Sequence, residues 1–288
     1  MDLTYAWLAS IASGVTPIVI KASSKNLIKD PWLFNLLWVG FGIPLVVVWA
    51  IIKGGGMPHN WMPIFLLSLS SACFYLFYTV SLYKLDVTTV SPLFSLRTVF
   101  AVLLGLLLLH EHISSVAVAL IIVIIAANTL TAYDENLKFK AFLQKPILLA
   151  VIGMAALALM GFFTNKSVKQ NGYASTILWQ DTLTFILLLP TILLAKEKGS
   201  FYKLSKLKPF ILLGLTGFIY TVTSVLAFAH NLALSSVIVS LPLSMVFAFV
   251  LSRLNSNFLE THSLKVYAVR FLGAIITVGC AIRLSFIR

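Results

Sequence analysis

Two ionisable residues stand where an apolar chain can least accommodate them. Arg97 and Asp181 each lie inside a long hydrophobic run. A charge at the centre of a bilayer costs about 2.5–3.5 kcal/mol even on the mildest insertion scales, so both side chains are expected to face protein or water. At about 1.5 Å of rise per residue, Arg97 falls roughly 14 Å below one membrane face and Asp181 roughly 10 Å above the other. In a core about 30 Å thick their depths differ by only a few ångströms. Two kinds of chemistry fit such a pair. It binds substrate or protons, or it is a structural ion pair locking two parts of the chain together.

Polar and aromatic residues around them complete a candidate binding set. Trp179 and Gln180 precede Asp181; Tyr75 and Tyr78 share a helix face at three-residue spacing; Tyr220 and Ser224 hold similar places further on; and Asn35 is the repeat counterpart of Asp181. The same aromatic spacing also suits plain packing or an interfacial belt. Arg270, about six residues into its apolar run, is expected to snorkel to the surface. His110-Glu111-His112 lacks metal-site spacing, because residues two apart point to different sides of a helix. The sequence carries no phosphate-binding loop, nucleophile elbow or HExxH. Gly54-Gly55-Gly56 lacks the Lys-Ser/Thr of such a loop, so the chain does not itself hydrolyse ATP. No metal, cofactor or enzymatic activity is expected. Cys73 and Cys280 sit in apolar segments as small packing residues.

The elements that must position these residues follow from composition. The 288 residues are 60% hydrophobic and 10% charged, with mean hydropathy +1.00. A soluble domain has about 25% charged residues. A spanning helix needs about 20 apolar residues, and the pattern places them at 3–20, 32–52, 62–83, 88–109, 115–133, 147–165, 174–195, 209–229, 235–254 and 264–285. The sequence therefore predicts an all-α membrane protein of about ten transmembrane helices. Asp2 stands where a signal peptide would be basic, so the first segment is expected to remain as an anchor. The most polar stretch, 134–146, divides the chain into five-helix units at 1–133 and 147–288.

Five spans per unit is odd, so the second unit crosses in the opposite sense to the first. A duplication is visible in the spacing. Pro44 and Pro63 are 19 apart, as are Pro190 and Pro209; a shift of 146 superimposes both pairs and sets Asn35 on Asp181. A shift of 147 sets Val99-Phe100-Ala101 on Val246-Phe247-Ala248. Two inverted repeats enclosing a central cavity are the expected architecture, a common plan of secondary transporters. Pro17, Pro44, Pro92, Pro190 and Pro242 fall within or near span ends and are expected to kink them. Ser10/Gly14 and Gly273/Thr277/Ala281 offer small residues for close helix contact.

The run SPLFSLRTVFAVLLGLLLLHEHIS, 91–114, resembles the fourth helix of drug/metabolite transporters of the EamA type, in which a proline-containing helix ends in a glutamate. SLPLSMVFAFVLSRLNSNFLETHS, 240–263, repeats the theme. Pro92 and Glu111, and Pro242 and Glu260, hold the matching places, with a two-residue insertion before Glu260. The resemblance implies a ten-helix inverted-repeat fold, a central cavity, and export or exchange of small metabolites.

The expected function is secondary active transport by alternating access of small polar or amphipathic, amino-acid-like metabolites. Arg97 would hold a carboxylate; Asp181 would meet an amine or exchange a coupled proton. The alternative is a non-transporting lipid-binding or assembly protein of the membrane. The net charge of +12 sits mostly in loop lysines, which suit anionic lipid headgroups rather than nucleic acid. The protein is expected in the cell (inner) membrane; oligomeric state stays open. Arg97 and Arg270 apart, five Lys and Arg lie on the side of the termini and fourteen on the other. Basic loops favour the cytoplasm, so the count predicts both termini outside, whereas the resemblance implies the reverse.

Overall fold

The computed structural model describes residues 4–109, 114–131, 144–195, 207–230, 235, 238–239, 241–254 and 262–286. Every regular element among them is helical. The helices are α1 (Thr4–Asn26), α2 (Pro31–Ile52), α3 (Trp61–Leu82), the short α4 (Val87–Val90), α5 (Leu96–Leu109), α6 (Ser115–Thr131), α7 (Lys145–Asn171), α8 (Tyr173–Leu188), α9 (Lys208–His230), α10 (Leu243–Leu254) and α11 (Leu264–Phe286). Local chemistry sets several ends. Asp30 caps α2, its Oδ1 accepting from the amides of Trp32 at 2.9 Å and Leu33 at 3.3 Å, and Pro31 at the first position needs no amide partner. Gly172, at φ +75°, makes the tight turn from α7 into α8, a conformation L side chains avoid.

Seven of these helices are long and apolar enough to cross a membrane: Thr4–Lys25, Pro31–Ile52, Trp61–Leu82, Lys145–Asn171, Tyr173–Leu193, Lys208–Ala227 and Leu264–Leu284. The chain is thus a multi-pass, all-α membrane protein. Three of the ten expected spans are shorter among the described residues. The expected span 88–109 is broken by Pro92, which opens a 3-10 turn, Ser91–Ser95, between α4 and α5; proline has no amide to continue the α pattern. Ser115–Ala127 and Leu243–Leu254 are short apolar helices. Pro190 likewise sits in a 3-10 turn, Leu189–Leu193, while Pro17 and Pro44 lie inside α1 and α2. Much of the linker at 134–146, together with Glu111 and Glu260, lies outside the described residues.

The extensive packing runs between the two halves of the chain. α3 lies along α7 and α1 along α9; α2 meets both α8 and α9; α3 meets α8; α6 lies along α11; α1 packs on α10 as α5 packs on α7. Close approach needs small residues. A Cβ on Gly214 of α9 would stand 2.7 Å from the carbonyl oxygen of Phe41 on α2, and one on Gly14 of α1 would stand 2.9 Å from the Phe247 ring of α10. The largest apolar cluster centres on Phe34, Leu82, Leu93, Met154 and Phe210. Side chains such as Val48, Ile51, Ile122, Ile186, Ile211 and Ile275 are exposed around the outside, as a lipid-facing surface requires.

Candidate functional site

Arg97 is buried two residues beyond the 3-10 segment Ser91–Ser95 that holds Pro92. Its guanidinium lies against Gly161 of α7, where a Cβ would come within 3.0 Å of Nη2. Glycine there lets a planar cation enter between two helices. Arg97 lines two adjoining spaces. The first is polar, with Gln180, Thr164, Tyr220 and Ser224 in its wall. The second, larger one is walled by Trp38, Phe74, Tyr75, Tyr78, Phe94 and Tyr220. Arg97 and Tyr220 belong to both.

Hydrogen-bond accounting gives the small space its character. Thr164 Oγ1 donates to Met160 O at 2.8 Å and Ser224 Oγ to Thr221 O at 3.2 Å. Each hydroxyl has thereby spent its one proton on its own helix and offers only lone pairs to the cavity. Ser71 Oγ donates to Leu67 O, so it can only accept, and Gln180 Nε2 faces it at 3.5 Å. That pins the amide, and Gln180 Oε1 is left buried without a partner. A buried carbonyl oxygen without a donor costs about 1–3 kcal/mol. The polar space thus sets one cation among acceptor oxygens.

The larger space is built from ring contacts. Trp38 meets Tyr75 edge-on at 4.7 Å, Phe74 stacks on Tyr78 at 5.0 Å, and Tyr78 meets Phe94 at 5.4 Å. Tyr75 and Tyr78 do share a face, as their spacing predicts, and Pro92 turns the chain that carries Phe94. The remaining candidates sit elsewhere. Trp179 stacks edge-on with Trp61 at 4.9 Å and donates to Gly56 O at 2.9 Å, toward the end of α2. Asn35 is fully buried and accepts from Thr79 Oγ1 at 2.6 Å. Asp181 is half-buried and lines neither space, and among the described residues it makes no ion pair with Arg97. One residue is a 100° rotation on a helix, which is enough to put Gln180 in the wall and Asp181 beside it. Pro242 directly precedes α10.

A second polar cluster was invisible in the sequence. Lys21, expected in a loop, is buried on α1 and donates to Leu82 O at 3.1 Å and Leu85 O at 2.9 Å, capping the C-terminus of α3. Arg270, expected to snorkel to the surface, is instead 1% exposed. Its Nη1 donates to Thr88 Oγ1 and its Nη2 lies 3.6 Å from Asp86 Oδ2. Asp86 reaches it because the α3–α4 turn brings a carboxylate to the start of α11. His262 Nε2 lies 2.7 Å from the same oxygen. Burial alone would raise the Asp86 pKa; the His262 hydrogen bond and the charges of Arg270, His262 and Lys21 outweigh it and hold the carboxyl below its usual range. The available signal was scarcity. The chain has nine acidic residues, so each buried one needs a named partner.

In sequence, no curated protein matches the chain. In three dimensions, a solved crystal structure of a protein aligns over 96% of this chain and 97% of its own, with TM-score 0.64 at 14% identity; at that identity the likeness concerns the fold. The model of the EamA-like transporter family matches residues 2–133. Residues 2–133 are thus similar to the EamA-like transporter family, the family that the motifs of the sequence resemble.

Proposed function

We propose that this protein is a secondary active transporter that moves a small amphipathic, amino-acid-like metabolite through the paired spaces at Arg97. The observation that carries the reading is the arrangement at Arg97 itself: a buried guanidinium between an acceptor-lined polar space and an aromatic chamber. Arg97 holds the anionic group of the ligand by charge-assisted hydrogen bonds. Gln180 Oε1, Thr164 and Ser224 take its N–H groups, and the rings of Tyr75, Tyr78 and Tyr220 cover its apolar part. Gln180 takes the part that the sequence offered to Asp181. The family supplies the transporter class. The packing supports two five-helix repeats, 1–133 and 147–288, related by inversion. Exchanging the halves turns the α3–α7 contact into α9–α1, α2–α9 into α8–α3, and α1–α10 into α7–α5, while α2–α8 and α6–α11 map onto themselves. Alternating access then follows from rocking one half against the other. Exposed Lys25 and Lys29 contact anionic headgroups, and the fourteen-to-five charge count puts the termini outside.

One feature favours the lipid-binding alternative: an apolar groove between α10 and α11, lined by Pro242, Met245, Phe271 and Ile275. Flux separates the two. Purified protein in sealed proteoliposomes should take up at least one member of a panel of radiolabelled amino acids faster than protein-free vesicles. A panel with no uptake, together with co-purifying lipid, favours the alternative. A reporter fused after Arg288 tests orientation: alkaline phosphatase activity supports an outside C-terminus, and fluorescence of a cytoplasm-only fusion refutes it.

A further inference from the structure

Two walls of the aromatic chamber, α3 and the 3-10 segment, are joined by a single stretch of chain. Tyr78 on α3 and Phe94 on the 3-10 segment are in ring contact, and Asp86 lies midway between them in sequence, on the turn that joins their elements. Three basic side chains converge on that turn from outside it. Lys21 comes from α1 through Leu82 O and Leu85 O, Arg270 from α11 through Thr88 and Asp86, and His262 from the segment before α11 through Asp86. Tyr267 of α11 packs its ring on His262 at 5.8 Å and shares a hydrogen bond with Ser252 of α10 at 3.1 Å. Arg253 of α10 lies over the Tyr267 ring at 5.9 Å. Thus α11 and α10, from the second half, are tied to the turn of the first half through Asp86 and Thr88.

We propose that Asp86 and His262 form a proton-operated clasp that closes this end of the chamber, tightening when His262 takes up a proton and loosening when it loses it. Histidine is the side chain whose charge ordinarily changes between pH 5 and 8. Its Nε2–H donates to Asp86 in either form, but only the imidazolium adds a charge, and a charge-assisted hydrogen bond is roughly twice as strong as a neutral one. Asp86 keeps its charge across that range, because its partners hold its carboxyl below the usual carboxylate range. Protons on this side of the membrane favour the closed end, and a proton gradient acquires a handle on access to Arg97. The proposal rests on the transport reading only in treating the closed end as a gate.

Spin labels at Lys84→Cys and Lys265→Cys, both exposed beside the clasp, report it in a Cys73→Ser, Cys280→Ser background. The protein is the full chain in lipid nanodiscs, and the readout is the distance distribution between pH 8 and pH 5.5. As pH falls, the ratio of short to long distances should rise about fivefold, the difference between a neutral and a charge-assisted hydrogen bond. His262→Gln, which keeps a donor but does not titrate, should give a flat profile. Asp86→Asn should be flat and displaced to long distances. A distribution that ignores pH when Asp86 and His262 are intact overturns the proposal, as does an undiminished response in His262→Gln. The titration with both residues intact needs neither variant to fold. No transported ligand is used, so its failure leaves the flux reading standing, and an absence of flux leaves the clasp to be judged on distances alone.

Discussion

The two ends of α3 are tied down by different chemistry. At the Trp61 end, the α2–α3 and α7–α8 turns exchange neutral hydrogen bonds: Asn60 N donates to Asn171 Oδ1 at 2.9 Å, Asn171 Nδ2 to Asn60 O at 3.0 Å, Gly56 N to Ser175 Oγ at 3.1 Å and Trp179 Nε1 to Gly56 O. At the Leu82 end, the ties are Lys21, Asp86, His262 and Arg270. The hydrogen bonds of the first clasp join neutral groups; the second is made of charge. Under the proposed alternating access, one end is then set by geometry and the other also by solution conditions. The difference lies in what the sequence spends at each end, amides at one and one of its nine acids at the other.

The largest effect should come from cutting the charged end. Arg270→Ala leaves Asp86 and Thr88 without their buried donor, and breaking a buried pair from one side costs about 3–5 kcal/mol. We expect loss of most folded protein from detergent extracts, followed by size-exclusion chromatography, with Arg270→Lys recovering part. If Arg270→Ala is as stable as the parent chain, the charged clasp carries no weight. Next comes the waist where α2 crosses α9. Gly214→Ala sets a methyl group 2.7 Å from Phe41 O, and overpacking of this kind costs about 1–3 kcal/mol. A lowered melting temperature, unchanged between pH 6 and 8, is the expected mark of a packing defect.

A smaller effect is expected at the neutral end. Asn171→Ala removes two exposed hydrogen bonds, each worth about 0.5–1.5 kcal/mol at most, and the loss should be the same at pH 5 and pH 8. At the charged end the pH dependence has a definite sign. The Asp86 pKa is lower in the folded state than in the unfolded chain. Its contribution is therefore fully present above the unfolded carboxylate pKa, and it disappears as pH falls through the folded one. Melting curves from pH 6 down to pH 3 should show the parent chain losing an advantage over Asp86→Asn. A constant gap between the two over that range contradicts the assignment.

The sequence disclosed what depends on near neighbours. Arg97 was legible because a charge in an apolar run must be sheltered, and Tyr75 with Tyr78 because a helix puts residues three apart on one face. The multi-pass class followed from hydropathy. Pro92 announced an irregularity, but the resulting break into α4, a 3-10 turn and α5 cost the chain a full-length described span there. Asp181 lines neither space, because hydropathy fixes depth and not rotation, and 100° separates it from Gln180. The charged clasp was unreadable for another reason. Its bonds join residues 61 to 182 positions apart, from Lys21–Leu82 to Thr88–Arg270. Nothing local distinguishes a lysine that caps a distant helix from one that meets lipid.

The most direct test of the account compares flux through Arg97→Ala and Asp181→Asn in the same proteoliposomes, with folded protein checked by thermal melting. A ligand whose anionic group is held by Arg97 should lose at least about a hundredfold in rate when the guanidinium is removed, on the scale of two or more charge-assisted hydrogen bonds. Asp181→Asn, outside both spaces, should stay within about twofold of the parent chain. Transport by Arg97→Ala at the parent rate, from protein that melts normally, would contradict the central claim.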